Sequence, residues 1–416
     1  MLTVDRAIET ILSRVDSLPA RPTPLLDALG LVLAEDIAAD IDMPPFDKAL
    51  MDGYAVRSAD LSGPGEHRLH VVEEITAGRM PTRPLGEGEA ARIMTGAPMP
   101  PGADAVVMVE RTRSEGSEAI LGGPVPPGQN RLIRGREMEA GEVLLRRGVR
   151  IDAAKLGLIA SAGRSVVAAI PSPTITVVPT GDELVPASHR PGAGQIRNTN
   201  GVMLAGLARS CGFRNVWESP VAPDDPAKLR MALAGELWMK EDRHRPAESA
   251  AGLIDALIVS GGVSAGTKDL VPATLVDLGV EPVFHKVNVK PGKPLWFGVG
   301  PRRGHKPGIL VFGLPGNPAS GMVGFLLFVR PALEALAGLD PRQTQLASFP
   351  LRVPFEHRGD RPTYHPARLV DGSVLPLDWA GSADLRTVAL ADGFAAFPAG
   401  DRAYRTGEEI PFLPSR

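Results

Sequence analysis

The sequence predicts a multidomain protein of α/β plus β class: a central α/β domain, a β-rich inserted domain, a helical linker domain and a C-terminal small β-barrel. Three observations predict it. At 416 residues the chain outgrows a single hydrophobic core, and the length prior alone suggests about three domains. Between Ile175 and Ser320 one design recurs, a short apolar run emptying into a loop of glycine, proline, acids and lysines: ITVVPTGDEL, DALIVSGGVSAGTKD, HKVNVKPGKPLWF and ILVFGLPGNPAS. Such runs alternating with helical segments read as buried parallel strands. On both flanks the texture changes to brief β runs broken by turns.

In chain order, Thr3 caps a helix expected over Val4 to Leu18, with Val4, Ile8, Ile11, Leu12 and Val15 on one face. PTPLLDALGLVLAEDI reads as a short helix broken at Gly30, then a strand. RLHVVEEI, EAARIMTG, DAVVMVE, EAILG and EVLLRRG are strands of a compact β domain. DAAKLGLIASAG returns to helix and is expected to pack with the first one. The domains are therefore 1–45 with 141–172 (a discontinuous helical linker and dimerisation domain), 46–140 (β-rich), 173–337 (α/β) and 338–416 (barrel). Within the α/β domain, helices are expected over Asn200–Cys211, Pro226–Met239, Leu270–Leu278 and Asn317–Ala337, and KEDRHRPAES reads as a solvated surface loop. FPLRVPF, TYHPARL, GSVLPLD, FAAFPA and EEIPFL then have the turn spacing of a small barrel.

Composition narrows the function classes. A net charge of −3 gives no basic field for nucleic acid. The lone Cys211 excludes an internal disulfide and a cysteine zinc site, which fits a reducing cytoplasm. The start is charged and amphipathic, a helix rather than a signal peptide. The most apolar stretch, GMVGFLLFV, is expected to stop at Arg330 and Pro331, short of a membrane span.

Ligands of open α/β sheets bind outside the carboxyl ends of the strands. Four loops of this chemistry at one edge therefore read as an anionic-ligand site. TGDEL places Thr180, Gly181, Asp182 and Glu183 after a strand; the acids fit either Mg²⁺ or a solvated Asp turn. SGGVSAGTKD offers amides at Ser260, Gly261, Gly262 and Gly266 for phosphate, with Asp269 either capping the next helix or carrying a metal. In an alternating strand Lys286 and Lys290 share a face, and with Lys293 they either hold an oxyanion or guard an edge strand. GLPGNPAS ends the last strand rigidly and caps a helix at Asn317. Outside this domain, Asp52-Gly53 reads as a hairpin turn and Thr95 as a turn former or a ligand.

Taken together and in order, PPFDKALMDGYAVR, RIMTGAPMP, AVVMVE, TGDEL, SGGVSAGTKD, VKPGKP and GLPGNPAS resemble the molybdopterin molybdenumtransferase family, which includes bacterial MoeA and the E domain of gephyrin. The resemblance spans essentially the whole chain. It implies an elongated homodimer of four-domain subunits and a molybdopterin-binding α/β domain related to the molybdopterin adenylyltransferase, itself a candidate partner. The implied reaction converts adenylylated molybdopterin plus molybdate into molybdenum cofactor plus AMP, with Mg²⁺ or a similar divalent cation, in the cytoplasm and without nucleic acid or membrane.

By matching motif, the resemblance assigns catalytic roles to Asp52, Thr95, Glu183, Asp224 and Asp269, with Glu183 and Asp269 as metal ligands. It assigns substrate binding to Lys286, Lys290, Gly261, Gly262, Ser264, Pro315, Pro318 and Ser382. Asp52 and Thr95 are expected to reach the site across the dimer interface. Four positions depart from the family pattern: Lys48 and Ala49 stand where Asn and Ser are usual, Glu137 where Asp is usual, and Pro366 where an arginine is usual, leaving Arg361 or Arg368 to replace it. An adenylyltransferase-like enzyme and a gephyrin-like scaffold are the competing readings. The first lacks its TGGTG loop here, and the second lacks the extra N-terminal domain and linker.

Overall fold

A computed structural model describes residues 1–238, 254–263, 270–301, 307–341 and 346–415. The chain forms two compact units, the first made of 1–34, 148–151 and 167–416, the second of 35–147 and 152–166.

The first unit is built on a six-stranded sheet. Its order is Asn215–Glu218, Thr174–Pro179, Ala256–Ser260, Leu310–Leu314, Trp296–Val299 and Glu281–His285. The first four strands are parallel. Ala256–Ser260 and Leu310–Leu314 are buried along their whole length, which is why they read as unbroken apolar runs rather than alternating ones. Trp296–Val299 runs antiparallel to Leu310–Leu314, and Glu281–His285 antiparallel to it in turn. Glu281–His285 therefore points the same way as the parallel set, and the loop after it opens on the same sheet edge as the other three. Phe297 and Phe312, both fully buried with ring centroids 5.0 Å apart, anchor the hairpin to the core.

The expected strand through Lys286 and Lys290 does not form. The strand ends at His285 because Lys286 takes φ +77°, and a cis bond follows between Lys290 and Pro291. Two lysines on one strand face is thus the wrong picture.

The helices Asn200–Ser210, Pro226–Trp238 and Leu270–Asp277 lie where the sequence predicts them. The last does not stop at Arg330 and Pro331: a helical run continues over Pro318–Leu336. It survives Pro331 by widening into a π turn over Phe325–Val329, where Arg330 N–H reaches Phe325 O five residues back. This is the one helix among the described residues long and apolar enough to cross a membrane, and 83% of its most apolar window is buried inside the fold. The N-terminal helix covers Val4–Leu12 only, with Val4, Ala7 and Ile11 buried. Pro19 disfavours helical backbone at Leu18, and Leu18 instead donates its N–H to Leu336 O at 2.8 Å.

The C-terminal segment forms a five-stranded antiparallel sheet in the order Ala347–Pro350, Glu409–Pro414, Gly393–Phe397, Thr363–Val370, Ser373–Pro376. A bridge between Leu351 and Val374, with Arg352 N–H to Val374 O at 2.8 Å, joins its two ends and closes the barrel. Phe397, Tyr404, Ile410 and Phe412 fill it, while Phe394 faces the other way, into the core of the α/β domain.

The second unit holds a six-stranded sheet in the order Ala105–Met108, Gly53–Val56, Glu89–Ile93, Gly65–Ile75, Glu118–Gly123, Thr112–Glu115. It also holds the helix Ala153–Ser161, capped by the Asp152 side chain, so this helix and the N-terminal one fall in different units. Asp52-Gly53 does not close a hairpin: Lys48–Ala49 pairs with Arg131–Leu132, and Gly53–Val56 with strands 89–93 and 105–108. Glycine is required at 53 because a β-carbon there would sit 1.9 Å from Val107 O. The polar insert KEDRHRPAES lies outside the described residues.

Candidate functional site

The loops at the carboxyl edge of the first unit's sheet enclose a cavity of about 870 Å³. Its wall includes Thr180, Gly181 and Glu183 from the first loop, Asn198 to Asn200 from the next helix start, and Asp224. Ser260 to Val263, Pro294 and Pro315 to Pro318 complete it. The strand order brings these loops together.

The wall is cross-tied by polar contacts. Asn200, at the start of helix Asn200–Ser210, donates from Nδ2 to Ser260 Oγ at 3.0 Å and to Gly316 O at 2.7 Å. Asn198 accepts Gly201 N–H at 3.0 Å and donates to Glu218 at 2.7 Å. Gly261 donates its N–H to Leu314 O at 3.0 Å, and at φ +101° it passes so close to Thr180 that a β-carbon would meet Thr180 O at 2.6 Å. Asn317 Nδ2 donates to Ser382 Oγ at 2.8 Å, and Ala319 N–H to Ser382 O at 3.1 Å. Ser382 thus fastens the barrel-side segment, whose Ala383 and Leu385 also line the cavity.

A second recess of about 600 Å³ shares Glu183 and Asp224 with the first cavity and adds Asp182. Asp182 Oδ1 is engaged by Asp224 N–H at 3.1 Å. The Glu183 and Asp224 carboxylates make no ion pair among the described residues, and no cluster of three or more metal-type side chains is arranged there. Two oxygen donors of this kind suit a hard divalent cation that keeps waters and takes the remaining ligands from a phosphate. Asp269 and Ser264 lie outside the described residues.

Lys286, Lys290 and Lys293 occupy the loop that joins Glu281–His285 to Trp296–Val299 at this edge, and none pairs with an acid among the described residues. Lys290 is fixed through its backbone, donating N–H to Pro362 O at 2.8 Å and accepting Tyr364 N–H at 2.7 Å. Arg361 donates from Nη1 to Val289 O at 3.2 Å, beside Lys290, while Arg368 is exposed on the barrel. Of the two arginines weighed against Pro366, Arg361 is the one held at the lysine loop. His357, 4% exposed, also faces Lys290; burial and then the Lys290 ammonium push its pKa down.

In the second unit the exposed Asp52 and Thr95 form a pair. Asp52 Oδ1 accepts Thr95 N–H at 2.6 Å and Thr95 Oγ1 at 2.7 Å, and the backbone bond followed by the hydroxyl bond holds the carboxyl below the usual range. Lys48 and Glu137 meet as an ion pair, Lys48 Nζ to Glu137 Oε1 at 3.2 Å.

Three family models cover the chain in succession: the MoeA N-terminal region (domains I and II) over residues 2–163, a "Probable molybdopterin binding domain" over 176–335, and the MoeA C-terminal region (domain IV) over 348–415. A molybdopterin molybdenumtransferase of Staphylococcus aureus strain Mu50 is 31% identical over 420 residues, spanning 99% of this chain and 95% of that protein. The chain belongs to the MoeA family. A Staphylococcus epidermidis molybdopterin molybdenumtransferase is 30% identical with the same coverage, 99% and 95%. Two crystal structures of the molybdopterin biosynthesis MoeA protein of Pyrococcus horikoshii superpose over 100% of this chain. One has TM-score 0.79 at 30% identity and covers 99% of that protein; the other has 0.78 at 27% and covers 100%.

Of the residues the MoeA resemblance assigns, the cavity wall contains Glu183, Asp224, Gly261, Gly262, Pro315 and Pro318. Ser382 is one hydrogen bond behind that wall, through Asn317. Lys286 and Lys290 are on the adjoining loop but not in the wall, and Asp52 and Thr95 are in the other unit. Motif reading passed over Asn198 and Asn200. The available signal was two asparagines two residues apart, directly before a helix and at the end of a strand-like dipeptide, Ile196–Arg197.

Proposed function

We propose that this chain inserts molybdenum from molybdate into adenylylated molybdopterin, releasing AMP and molybdenum cofactor. The observation that carries the reading is the cavity itself. Glycine-rich backbone, two carboxylates and a neighbouring lysine loop, none of them ion-paired among the described residues, meet at one sheet edge, the mixture a phosphoanhydride with a bound cation and an oxyanion would need. In this reading the Gly262 amide holds a phosphate oxygen, Gly261, whose own N–H is spent on Leu314 O, lets the backbone approach closely, and Lys286 and Lys290 hold molybdate. Glu183 and Asp224, with Asp269, hold a divalent cation such as Mg²⁺, which would stabilise charge on the departing AMP. The sulfurs that capture molybdenum belong to the substrate.

Asp52 and Thr95 act, on this proposal, from the partner subunit of a homodimer, their exposed carboxylate–hydroxyl pair completing each site. A cytoplasmic setting is supported by the single thiol, Cys211.

The test is AMP release from adenylylated molybdopterin, dependent on molybdate and on Mg²⁺. Glu183→Ala and Asp52→Ala are each expected to be inactive. Mixed and allowed to exchange, they should regain about a quarter of wild-type sites, because about half the dimers are mixed and each of these rebuilds one intact site. Demonstrated exchange without recovered activity rejects the shared site; absence of AMP release by wild-type protein rejects the reaction.

A further inference from the structure

Asn200 is 7% exposed, and only half of its side chain is accounted for. Both Nδ2 protons are spent, on Ser260 Oγ at 3.0 Å and Gly316 O at 2.7 Å. Those bonds fix which end of the amide is oxygen, since the flipped amide would press Oδ1 against the Gly316 carbonyl. Oδ1 is buried and has no hydrogen-bond partner among the described residues.

Three side-chain donors of the same wall are committed elsewhere. Asn198 Nδ2 goes to Glu218, Asn317 Nδ2 to Ser382 and Thr180 Oγ1 to Ser260 O. A buried amide oxygen left unmade is unfavourable unless something completes it. Asn200 lines the cavity, and an oxygen can only accept, so what completes it is an N–H or O–H donor rather than an anion.

We propose that Asn200 is a recognition residue whose Oδ1 receives an N–H from the amino group of a heteroaromatic ring on the substrate. This rests on the reaction proposed above, whose substrate carries two such groups, the adenine 6-amino and the pterin 2-amino. The Nδ2 bonds hold three loops of the wall together, and the same amide presents its oxygen at a fixed place. A residue that served only as the loop tie would be indifferent to the ligand's amine.

The test is a cycle between residue and ligand, run by titration calorimetry on the full chain. One ligand pair is AMP and purine riboside 5′-monophosphate, which lacks the 6-amino group. The other is pterin-6-carboxylate and its 2-desamino analogue. Wild-type protein should bind the amino member of one pair about five- to tenfold more tightly, the worth of a neutral hydrogen bond. Asn200→Ala should bring that pair within about twofold. The responding pair identifies the ring. Asn200→Ser serves the same arm if Asn200→Ala does not fold. Wild-type protein that releases AMP but prefers the amine in neither pair overturns the inference alone, as does a preference that survives in Asn200→Ala. Wild-type protein that binds none of the four and releases no AMP overturns the proposed reaction and the inference with it.

Discussion

Gly261→Ala should damage the first unit far more than Gly262→Ala next to it. Both glycines have positive φ, but their surroundings differ. At Gly261, φ is +101°, outside the left-handed basin that side chains tolerate best, and the added methyl meets Thr180 O at 2.6 Å. That carbonyl cannot retreat freely, because Thr180 N–H bonds Ser260 O at 2.9 Å and Gly181 N–H bonds Ala222 O at 3.1 Å. Backbone strain of about 1–3 kcal/mol and overpacking of about 1–3 kcal/mol together give a loss of about 2–6 kcal/mol. At Gly262, φ is +63° and the first atom met is Val271 Cγ2, a side-chain methyl that can turn aside, so the loss should be about 1–2 kcal/mol. All four tryptophans, Trp217, Trp238, Trp296 and Trp379, lie in the first unit, so tryptophan fluorescence in a urea titration reads that unit alone. A Gly261→Ala protein within about 1 kcal/mol of wild type, or a Gly262→Ala loss as large, would refute the clash with Thr180 O as the deciding contact.

Two further outcomes follow from local geometry and charge. Lys286 at φ +77° should gain more from the strain that glycine relieves than it loses in chain entropy. Lys286→Gly should therefore be about 1 kcal/mol more stable than Lys286→Ala, although both lose the ammonium and should weaken molybdate binding equally; urea midpoints and calorimetry separate the two effects. His357 and His365 both have pKa values pushed down, by burial first and also by the Lys290 ammonium. Below about pH 6.5 the unfolded imidazoles take up protons that the folded ones refuse, so stability should be lost as pH falls from about 6.5 through the lowered folded values. A urea midpoint at pH 5.5 no lower than at pH 7.5, or an acid loss undiminished in His357→Gln, would contradict this.

Much of this architecture could be read before folding, for identifiable reasons. Helix starts at Asn200 and Pro226 were legible because proline and polar turn chemistry mark them locally, and buried strands such as Ala256–Ser260 because continuous apolar runs have few other uses. Strand direction was not legible. Nothing in PLWF says that Trp296–Val299 runs against its neighbours, since side-chain pattern is blind to polarity. The Lys286 kink was hidden because lysine carries no signal for positive φ, so alternation wrongly continued the strand through it. The N-terminal helix was overextended because Val15 and Leu18 are apolar for a different reason: they pack on the core after the helix has ended. At the site, acids and glycines announced themselves by type. Asn200 did not, because its role depends on Ser260 and Gly316, sixty and more residues away in sequence.

The lysine loop is not simply a connection between two strands of its own sheet. Lys290 bridges to Thr363, giving its N–H to Pro362 and receiving one from Tyr364, so for one residue the loop is registered as an extra strand of the barrel. The barrel is in that sense a splint for the lysine loop. Loop insertions are ordinarily absorbed at little cost, but one placed between Arg361 and Tyr364 would slide the frame against which Lys290 is set. Chain length in this remote stretch is therefore under the same constraint as the cavity wall itself.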